Sequence, residues 1–551
     1  MKGDFTRDSF GPKKNFSAVL MQQGRVTLDA DFNEQSAIER HYLRTVTRDV
    51  IGPFAAPAGA DGGFGLALDA NNNLTIGSGR FYVDGILVEN EIENCTYKTQ
   101  PDFQVPVDDP LLQAMSGQGN TDASLSFWAY LDAWERHISS LEDDSISEKA
   151  LGGPDTCTRA KVTWQIRALP LTRDMIKALA AAEKKYTDRI DALWAEKAQL
   201  EKKFQDATDS ATQVSLLKQL QPVDEALTQL TRLSLLPVHQ TLLGQLVGIS
   251  NASMAARVNP GIKVEDACIT PPASRYRGTE NQFYRVEIHR GGAAGEATFK
   301  WSRDNGSVAT SWLGATGGDL QVARTNGFSA GNWVELSDDS TDLLGQPGPL
   351  VQLVKVEGST LSVDPATTLP PFGNYPANPK VRRWDHVATD AISLGADNAI
   401  PIQESPTGAT GNQIVWLDLE DGVQIQFSAG GNYRSGDYWW FPARVATGNI
   451  EWPQDDDLNP QPLPPHGVHH HYATLGLVTR AKGKWNLQSL RCEFLPIFFC
   501  PSQPVAATGP RVVAGPILEV QPQGPQTTLR TAASAEKKPA PVKKAAKKKS
   551  G

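Results

Sequence analysis

The stretch Phe283-Tyr284-Arg285-Val286-Glu287-Ile288-His289 alternates in polarity with the period of a β-strand. A second strand-like segment at 297–303 runs directly into Asp304-Asn305-Gly306. Asn-Gly readily adopts the positive φ angles of a type I′ turn. The sequence therefore predicts strands at both segments and a hairpin turn at 304–306.

Strand-like segments of similar length recur on both sides of this stretch. They are rich in β-branched and aromatic residues and are separated by turn residues. They lie at residues 74–76, 79–88, 124–131, 160–167, 332–336, 350–356, 413–417, 423–427 and 473–478. Many short strands of this kind predict a mainly β protein with several sandwich-like or barrel-like domains.

Residues 171–248 change to a helical period. Apolar side chains recur every three or four positions from Met175 to Phe204, and again from Leu217 onward, with a polar break at 206–210. Pro222 should kink the second helix or start a new one. We predict an inserted α-helical coiled-coil hairpin. Its role as a spacer or as a partner-binding arm stays open, because so short a heptad pattern does not define an oligomeric state.

Composition divides the 551 residues into five predicted segments. These are an N-terminal docking segment with a helix (1–65), a β-rich domain (66–170), the helical hairpin (171–248), one or more β-rich domains (249–500), and a Pro-rich linker with a disordered Lys-rich tail (501–551). The net charge is −9, but the last 21 residues carry seven lysines and one glutamate, so the rest is near −15. An acidic body argues against a specific nucleic-acid partner.

The sequence also bears on the location of the protein. No run approaches the roughly 20 apolar residues of a membrane span, and the first residues lack the apolar segment of a signal peptide. The five cysteines are scattered without metal-site or redox spacing, which favours a reducing compartment. We expect a cytoplasmic assembly, which could be released as part of an extracellular particle.

The segment 20–35 concentrates hydrogen-bonding side chains around a turn at Gly24, before a stretch with helical periodicity. This pattern is more typical of attachment to a partner than of catalysis. The predicted docking residues are Gln23, Gly24, Arg25, Asp29, Asp31, Asn33 and Glu34. A calcium loop is rejected here, because Glu34 stands where such loops need Gly and Arg40 where they need Glu.

Candidate chemistry elsewhere is sparse, and no cofactor is expected. On a strand, His469 and His471 would share a face and could ligate a metal if threefold symmetry repeated them, but packing histidines are the alternative. Zinc-protease and phosphate-loop motifs are absent from the sequence. A glycosidase needs only two carboxylates, so an enzyme stays open. Its candidates are Glu135, Asp155, Asp304, Asp385, Asp437 and Glu451.

Several runs, taken in order, resemble one family. They are residues 19–35, Tyr130-Leu131-Asp132-Ala133-Trp134-Glu135-Arg136-His137, 150–156, Lys300-Trp301-Ser302-Arg303-Asp304-Asn305-Gly306, Gly436-Asp437-Tyr438-Trp439-Trp440-Phe441-Pro442-Ala443-Arg444 and Pro464-Pro465-His466-Gly467-Val468-His469-His470. The chain is similar to bacterial proteins of uncharacterised function associated with phage-tail-like contractile injection systems. The helical insertion and the tail lie outside the resemblance.

The resemblance implies a non-enzymatic structural or accessory component, placed at the baseplate or its fibres, whose partners are other subunits of a tail-like assembly. It supplies no catalytic residue. The alternatives are a carbohydrate-active hydrolase and a carbohydrate- or surface-binding module, for which a surface glycan would be the partner. Exposed, coplanar Trp128, Trp301, Trp439 and Trp440 would favour the binding module.

Overall fold

The computed structural model describes residues 1–59, 62–103, 105–106, 108–116, 124–152, 155–233, 236–247, 250–261, 275–389 and 392–495. All of them belong to one unit, Met1–Ile497. The predicted linker and tail at 501–551 lies outside the described residues. Strands outnumber helices, so the prediction of a mainly β protein with several sheets is confirmed.

The first part of the chain begins with one long helix and continues into short strands and then two long ones. Its elements are α1 (Asp29–Ile51), β1 (Phe54–Pro57), β2 (Leu66–Leu68), β3 (Leu74–Ile76), β4 (Gly79–Val83), β5 (Ile86–Asn90), β6 (Cys95–Thr96), α2 (Pro110–Met115), β7 (Leu125–Ile138) and β8 (Arg159–Pro170). The burial of β5 alternates, with Ile86, Val88 and Asn90 buried and the residues between them exposed.

Three helices follow, α3 (Arg173–Asp206), α4 (Ser210–Leu233) and α5 (Leu236–Leu246). The break between α3 and α4 lies where the polar residues predicted it. Leu193 and Leu200 of α3 pack with Leu220 and Leu227 of α4, as the apolar period requires. Pro222 lies inside α4, which is helical on both sides of it.

The remaining elements are strands of several sheets and one short helix. They are β9 (Met254–Val258), β10 (Gln282–Arg290), β11 (Gly292–Ala293), β12 (Thr298–Ser302), β13 (Ala309–Thr316), β14 (Asp319–Val322), β15 (Trp333–Ser337), α6 (Asp339–Leu344), β16 (Leu350–Glu357), β17 (Thr360–Val363), β18 (Lys380–Trp384), β19 (Ile400–Pro401), β20 (Leu417–Asp418), β21 (Val423–Phe427), β22 (Asn432–Tyr433), β23 (Tyr438–Arg444), β24 (Asn449–Ile450), β25 (His470–Ala481), β26 (Lys484–Ser489) and β27 (Glu493–Phe494).

Strands distant in sequence share sheets. β25 pairs with β7 in the order β26-β25-β7-β8, and β27 pairs with β1 in the order β27-β1-β4-β5. The predicted boundaries at 66–170 and 249–500 therefore separate strands that lie in the same sheets. A third sheet, β2-β3-β6, packs into the same apolar core, around Phe81, Trp128 and Leu131.

Strands β13-β14-β17-β16-β15-β18 close into a six-stranded barrel. Its interior is filled by Trp312, Leu336, Val351 and Leu361, so this barrel encloses side chains rather than a channel. The chain enters it from β12 and leaves it toward β19, and both of those strands belong to the sheet β19-β12-β10-β23-β24.

The turn at Asp304-Asn305-Gly306 has the predicted positive φ angles, 51° at Asn305 and 63° at Gly306. It is not a hairpin, however. β12 pairs with β10 and β19, whereas β13 pairs with β14 and β18. The turn therefore carries the chain from the five-stranded sheet into the barrel.

Strand β10 shows how the fold positions the site. Tyr284, Val286 and Ile288 point into an apolar core shared with the sheet β20-β21-β9. The alternate residues Arg285, Glu287 and His289 are also buried, and they line a polar cavity. The predicted alternation is confirmed, but its polar face meets other parts of the chain instead of solvent.

Candidate functional site

The docking segment lies on the surface. Residues 21–29 are all exposed, and Gly24 has φ of 70°, a left-handed conformation that glycine adopts without strain. Gln23 and Arg25 flank this turn, and Asn33 is exposed one helical turn into α1. Leu20 and Val26, although apolar, are also largely exposed.

The acidic members of the predicted docking set bind within the chain. Asp29 accepts hydrogen bonds from the backbone amide of Thr6 at 2.9 Å and from its hydroxyl at 2.5 Å. Asp31 accepts from the Leu28 amide at 3.1 Å, and Glu34 accepts from the Ser9 hydroxyl at 2.7 Å. These bonds hold residues 6–9 against the start of α1. The docking role of the seven residues stays a prediction.

Helix α1 turns a charged face toward the rest of the protein. Arg40 and Arg44 pair with Glu135 of β7 at 3.5 and 2.9 Å, and Arg48 lies 3.7 Å from Asp84. The backbone of Arg44 packs so closely on Gly85 that a side chain there would overlap the Arg44 carbonyl. Together these contacts fix α1 by one face.

A second face of α1 is apolar and exposed. At about 100° per residue, Phe32, Leu43, Val46 and Val50 fall within a sector of about 60°, centred about 130° from the middle of the arginine face. Leu43 is 68% exposed and Val46 57%. Of the 23 large apolar side chains that are exposed in the described residues, ten lie between Phe16 and Val50. This face has the composition of an interface without a partner.

The histidines considered for metal binding have other partners. His471 Nδ1 lies 2.9 Å from Asp84 Oδ2, and His470 Nδ1 lies 2.7 Å from Asp132 Oδ1. His469 is exposed just before β25. Within the part of the chain that the structure describes, neither His469 nor His471 belongs to a group of three potential ligands close enough to share a metal ion.

One acidic cluster does have suitable spacing for a metal ion, and it joins Glu142, Asp339 and Asp342. The Lys380 ammonium lies 2.7 Å from Glu142 and 2.6 Å from Asp342. Burial opposes ionisation of Glu142, but Lys380 outweighs it and holds the pKa of that carboxyl well below its usual range. The cluster thus fastens the barrel strand β18 to the β7–β8 connection.

A polar cavity of about 580 Å³ lies between β7, β8 and β25 on one side and β10, β23 and the barrel on the other. At one end, which we call the paired end, the buried carboxylates Glu287 and Glu335 each have cations beside them. Lys300 lies 2.5 Å from Glu335 and 3.5 Å from Glu287, and Glu287 also binds Arg285 at 2.7 Å and Lys2 at 3.0 Å.

The carboxylates of the paired end are held ionised. Burial favours the neutral acid of Glu335, but Lys300 and Lys2 outweigh it and keep its pKa at about 2. The Trp384 indole also donates to Glu335 at 2.9 Å. A buried charge is tolerated when hydrogen bonds and an opposite charge replace water, and both are present here.

The Asn-Gly turn secures the N-terminal residues at this end. The side-chain amide of Asn305 donates to the carbonyl of Met1 at 3.2 Å and to that of Gly3 at 2.9 Å. Arg285 also donates to the Met1 carbonyl, at 3.0 Å. The turn was predicted from the sequence, but its contacts with the N-terminal residues were not, since no local pattern connects residues 1–3 with residue 305.

The other end of the cavity, which we call the open end, is built from β7, β8, β25 and the turn before β23. Asp132 is hydrogen-bonded to His470 and lies 3.5 Å from Arg167. Arg434 donates to the Tyr472 hydroxyl at 3.1 Å. Asp437 is only 4% exposed, and its Oδ2 has no hydrogen-bond partner. Burial raises the pKa of Asp437 to about 6.

The six carboxylates proposed for glycosidase chemistry are dispersed among different contacts. Glu135 binds α1, Glu451 pairs with Arg444 at 2.7 Å, and Asp155 accepts from the Ser140 amide at 3.1 Å. Asp304 and Asp385 both pair with Arg383. Among the six, only Asp437 combines burial with an oxygen that lacks a partner.

The tryptophans proposed as an exposed stacking surface are inside the protein. Trp128, Trp301 and Trp439 are buried, and Trp440 is half-buried against Phe283 and Tyr438. Their rings are therefore used for packing. The hypothesis of a glycan-binding module loses the exposed tryptophans that would have favoured it.

Comparison with known proteins gives a family match and no characterised relative. The model of a family described as a family of unknown function, DUF6519, matches residues 1–551. No curated protein and no solved structure matches the chain. Among the helices of the described segments, none combines the length and apolarity needed to cross a membrane.

Proposed function

Because the chain belongs to this family of unknown function, DUF6519, its role must be argued from its own surfaces, and we propose a non-enzymatic structural or accessory subunit of a phage-tail-like contractile injection system. The subunit attaches at the baseplate or its fibres through residues 16–50. The assembly forms in the cytoplasm and is released as a particle.

The observation that carries this proposal is the orientation of α1. A surface helix normally buries its apolar side and exposes its charges. Here Arg40 and Arg44 bind Glu135, whereas Leu43 and Val46 are exposed. Burying an exposed apolar side chain contributes about 1.5–3 kcal/mol of favourable free energy. Contact with a partner would therefore be most favourable at this face of α1.

The occupant that fits this face is an amphipathic helix of another subunit. Leu43, Val46 and Val50 are spaced by three and four residues, which is the spacing of a two-helix seam. The turn at 22–25 precedes the start of α1, and its exposed residues Gln23 and Arg25 would supply polar contacts to the same partner.

The helices α3 and α4 form the second element of the proposal. We assign them as a coiled-coil hairpin arm whose inner seam contains Leu193, Leu200 and Leu220. The salt bridge between Lys197 and Asp224, 2.7 Å long, links the two helices beside that seam. Such an arm would act as a spacer between the β body and a neighbouring subunit.

The test measures incorporation of the full-length chain into tail-like particles purified from producing cells. The variant Leu43→Gln/Val46→Gln keeps good helix formers on α1 and should lower the chain's abundance per particle at least tenfold, by quantitative mass spectrometry. The matched control is Leu313→Gln/Val354→Gln, two exposed apolar residues on the barrel. It should incorporate normally.

Three results would overturn the proposal. The first is a wild-type chain that never co-purifies with tail-like particles. The second is a Leu43→Gln/Val46→Gln variant that is folded by circular dichroism and incorporates as well as the control. If the variant instead disrupts self-association of the purified chain, the occupant of this face is a second copy and the attachment role is wrong.

A further inference from the structure

The open end of the cavity holds two opposite charges without opposite partners. Asp437 forms no ion pair among the described residues, and its Oδ2 makes no hydrogen bond. Arg434 donates to the Tyr472 hydroxyl and likewise pairs with no carboxylate in the described part of the chain. Both line the same cavity. This differs from the paired end, where Lys300, Glu335 and Glu287 satisfy one another.

The backbone holds these two side chains in place. The Asp437 amide donates to the Arg434 carbonyl at 3.1 Å, which closes the turn between β22 and β23. The Ile288 amide donates to the Asp437 carbonyl at 2.8 Å, and the Gly436 amide donates to the Ile288 carbonyl at 2.9 Å. The turn is thereby fixed to β10, so its charges are arranged before any ligand arrives.

The two charges are near each other but not paired. Burial raises the pKa of Asp437, while the Ser250 hydroxyl and the Arg434 guanidinium lower it in part. A buried carboxylate beside a guanidinium would normally close into an ion pair, because leaving either charge unpaired costs several kcal/mol. A gap between such groups is the arrangement expected where a ligand completes both pairs.

We propose that the open end binds a small zwitterion of the α-amino acid class, with its carboxylate on Arg434 and its ammonium on Asp437. A guanidinium offers two parallel N–H donors to a carboxylate, and the carboxylate of Asp437 accepts from an ammonium. Such a ligand adds no net charge to the cavity, and a cavity of about 580 Å³ lies within the usual range for small-molecule sites.

Other ligand classes fit less well. An anion without an ammonium would leave Asp437 unpaired. A cation without a carboxylate would leave Arg434 unpaired. The described residues offer no group of three metal ligands at this end. A neutral sugar would satisfy hydrogen bonds but would leave both charges without a counterion.

The first part of the test compares L-alanine with two analogues on the purified full chain, by isothermal titration calorimetry at pH 7.5. N-acetyl-L-alanine lacks the ammonium, and L-alaninamide lacks the carboxylate. We expect L-alanine to bind at least tenfold more tightly than either analogue, since each missing charge removes one ion pair. L-serine and L-glutamine are titrated in parallel, because a larger side chain could fill more of the cavity.

The second part uses two variants with complementary losses. Arg434→Gln should abolish the advantage of L-alanine over L-alaninamide, and Asp437→Asn should abolish its advantage over N-acetyl-L-alanine. Arg444→Gln is the control, since its guanidinium pairs with Glu451 outside the lining of this cavity. That variant should bind L-alanine like the wild type.

The outcomes divide cleanly. Absence of binding by all three amino acids, equal binding of the analogues, or unchanged affinity in both variants overturns the assignment. Preferential binding of glucose over the amino acids does the same and assigns a neutral polyol. The measurement uses the isolated chain, so it does not depend on docking through residues 16–50.

Discussion

The two ends of the cavity contain similar charged residues, but among the described residues that line it, only Asp437 at the open end is a carboxylate without an ion pair. At the paired end, Lys300 touches Glu335 and Glu287, and every carboxylate is held ionised. At the open end, burial raises the pKa of Asp437 because no cation pairs with it. The carboxylates at both ends are buried. A buried carboxylate that is paired with a cation contributes to the stability of the fold, whereas a buried carboxylate without such a partner lowers it.

The segments that supply the charges explain the difference. Lys2 comes from the N-terminal residues, Lys300 from β12 and Glu335 from the barrel strand β15. Their ion pairs therefore join three parts of the chain that are remote in sequence. Arg434 and Asp437 lie on one short turn that its backbone hydrogen bonds already hold. Their side chains are not needed to close the fold.

The largest effect is expected at the paired end. Lys300→Ala leaves Glu335 buried without its main counterion, and breaking a buried pair in this way typically costs about 3–5 kcal/mol of unfolding free energy. Urea denaturation measures it. The control is Lys355→Ala, whose partner Glu357 is on the surface, and its denaturation midpoint should not move. A Lys300→Ala variant as stable as this control would show that the paired end is not structural.

At the open end we expect the reverse sign. Asp437→Asn should stabilise the protein at pH 8, because the wild-type carboxyl must ionise in a buried site. Its pKa is raised from 3.8 to about 6, so the penalty is absent below pH 4, grows between pH 4 and 6, and is complete above. We expect a gain of about 1–3 kcal/mol at pH 8 and nearly none at pH 4.

The control for this prediction is the same substitution at a paired carboxylate. Asp385 lies 3.1 Å from Arg383 and accepts from the Arg303 amide at 3.0 Å. Asp385→Asn should therefore destabilise at pH 8. Chemical denaturation of both variants at the two pH values decides the matter. A loss of stability in both variants would mean that Asp437 has a partner in solution and that the two ends do not differ.

Local patterns predicted the local part of this fold. The apolar period of residues 175–204 gave α3, and the polar residues at 206–210 gave its end, because helix formation depends on neighbours three and four positions away. The alternation in residues 283–289 gave β10, because successive side chains of a strand point to opposite faces. The Asn-Gly turn was also found, since it needs only the φ preferences of two residues.

Long-range pairing could not be predicted in this way. Nothing near β25 indicates that it pairs with β7, or that strands between Ala309 and Trp384 close into a barrel. The cavity depends on both, so its open end was not foreseen, although Asp437 was among the candidate carboxylates. The sequence also left open which face of α1 contacts the rest of the protein. Its only local signal is the repeat of Arg40, Arg44 and Arg48 at four-residue spacing.

The smallest effect is expected at Glu135, which is paired but partly exposed. It holds α1 through Arg40 and Arg44, and water can replace part of these pairs, so Glu135→Gln should cost only about 1 kcal/mol. Amide hydrogen exchange along α1 should quicken, while exchange in β10 stays unchanged. Glu39→Gln, an exposed change on α1 itself, should leave both rates as they are. A loss of stability as large as that of Lys300→Ala would mean that the ion pairs of Glu135 stabilise the fold as strongly as the buried pairs do. Partial exposure of Glu135 would then not reduce the contribution of its pairs.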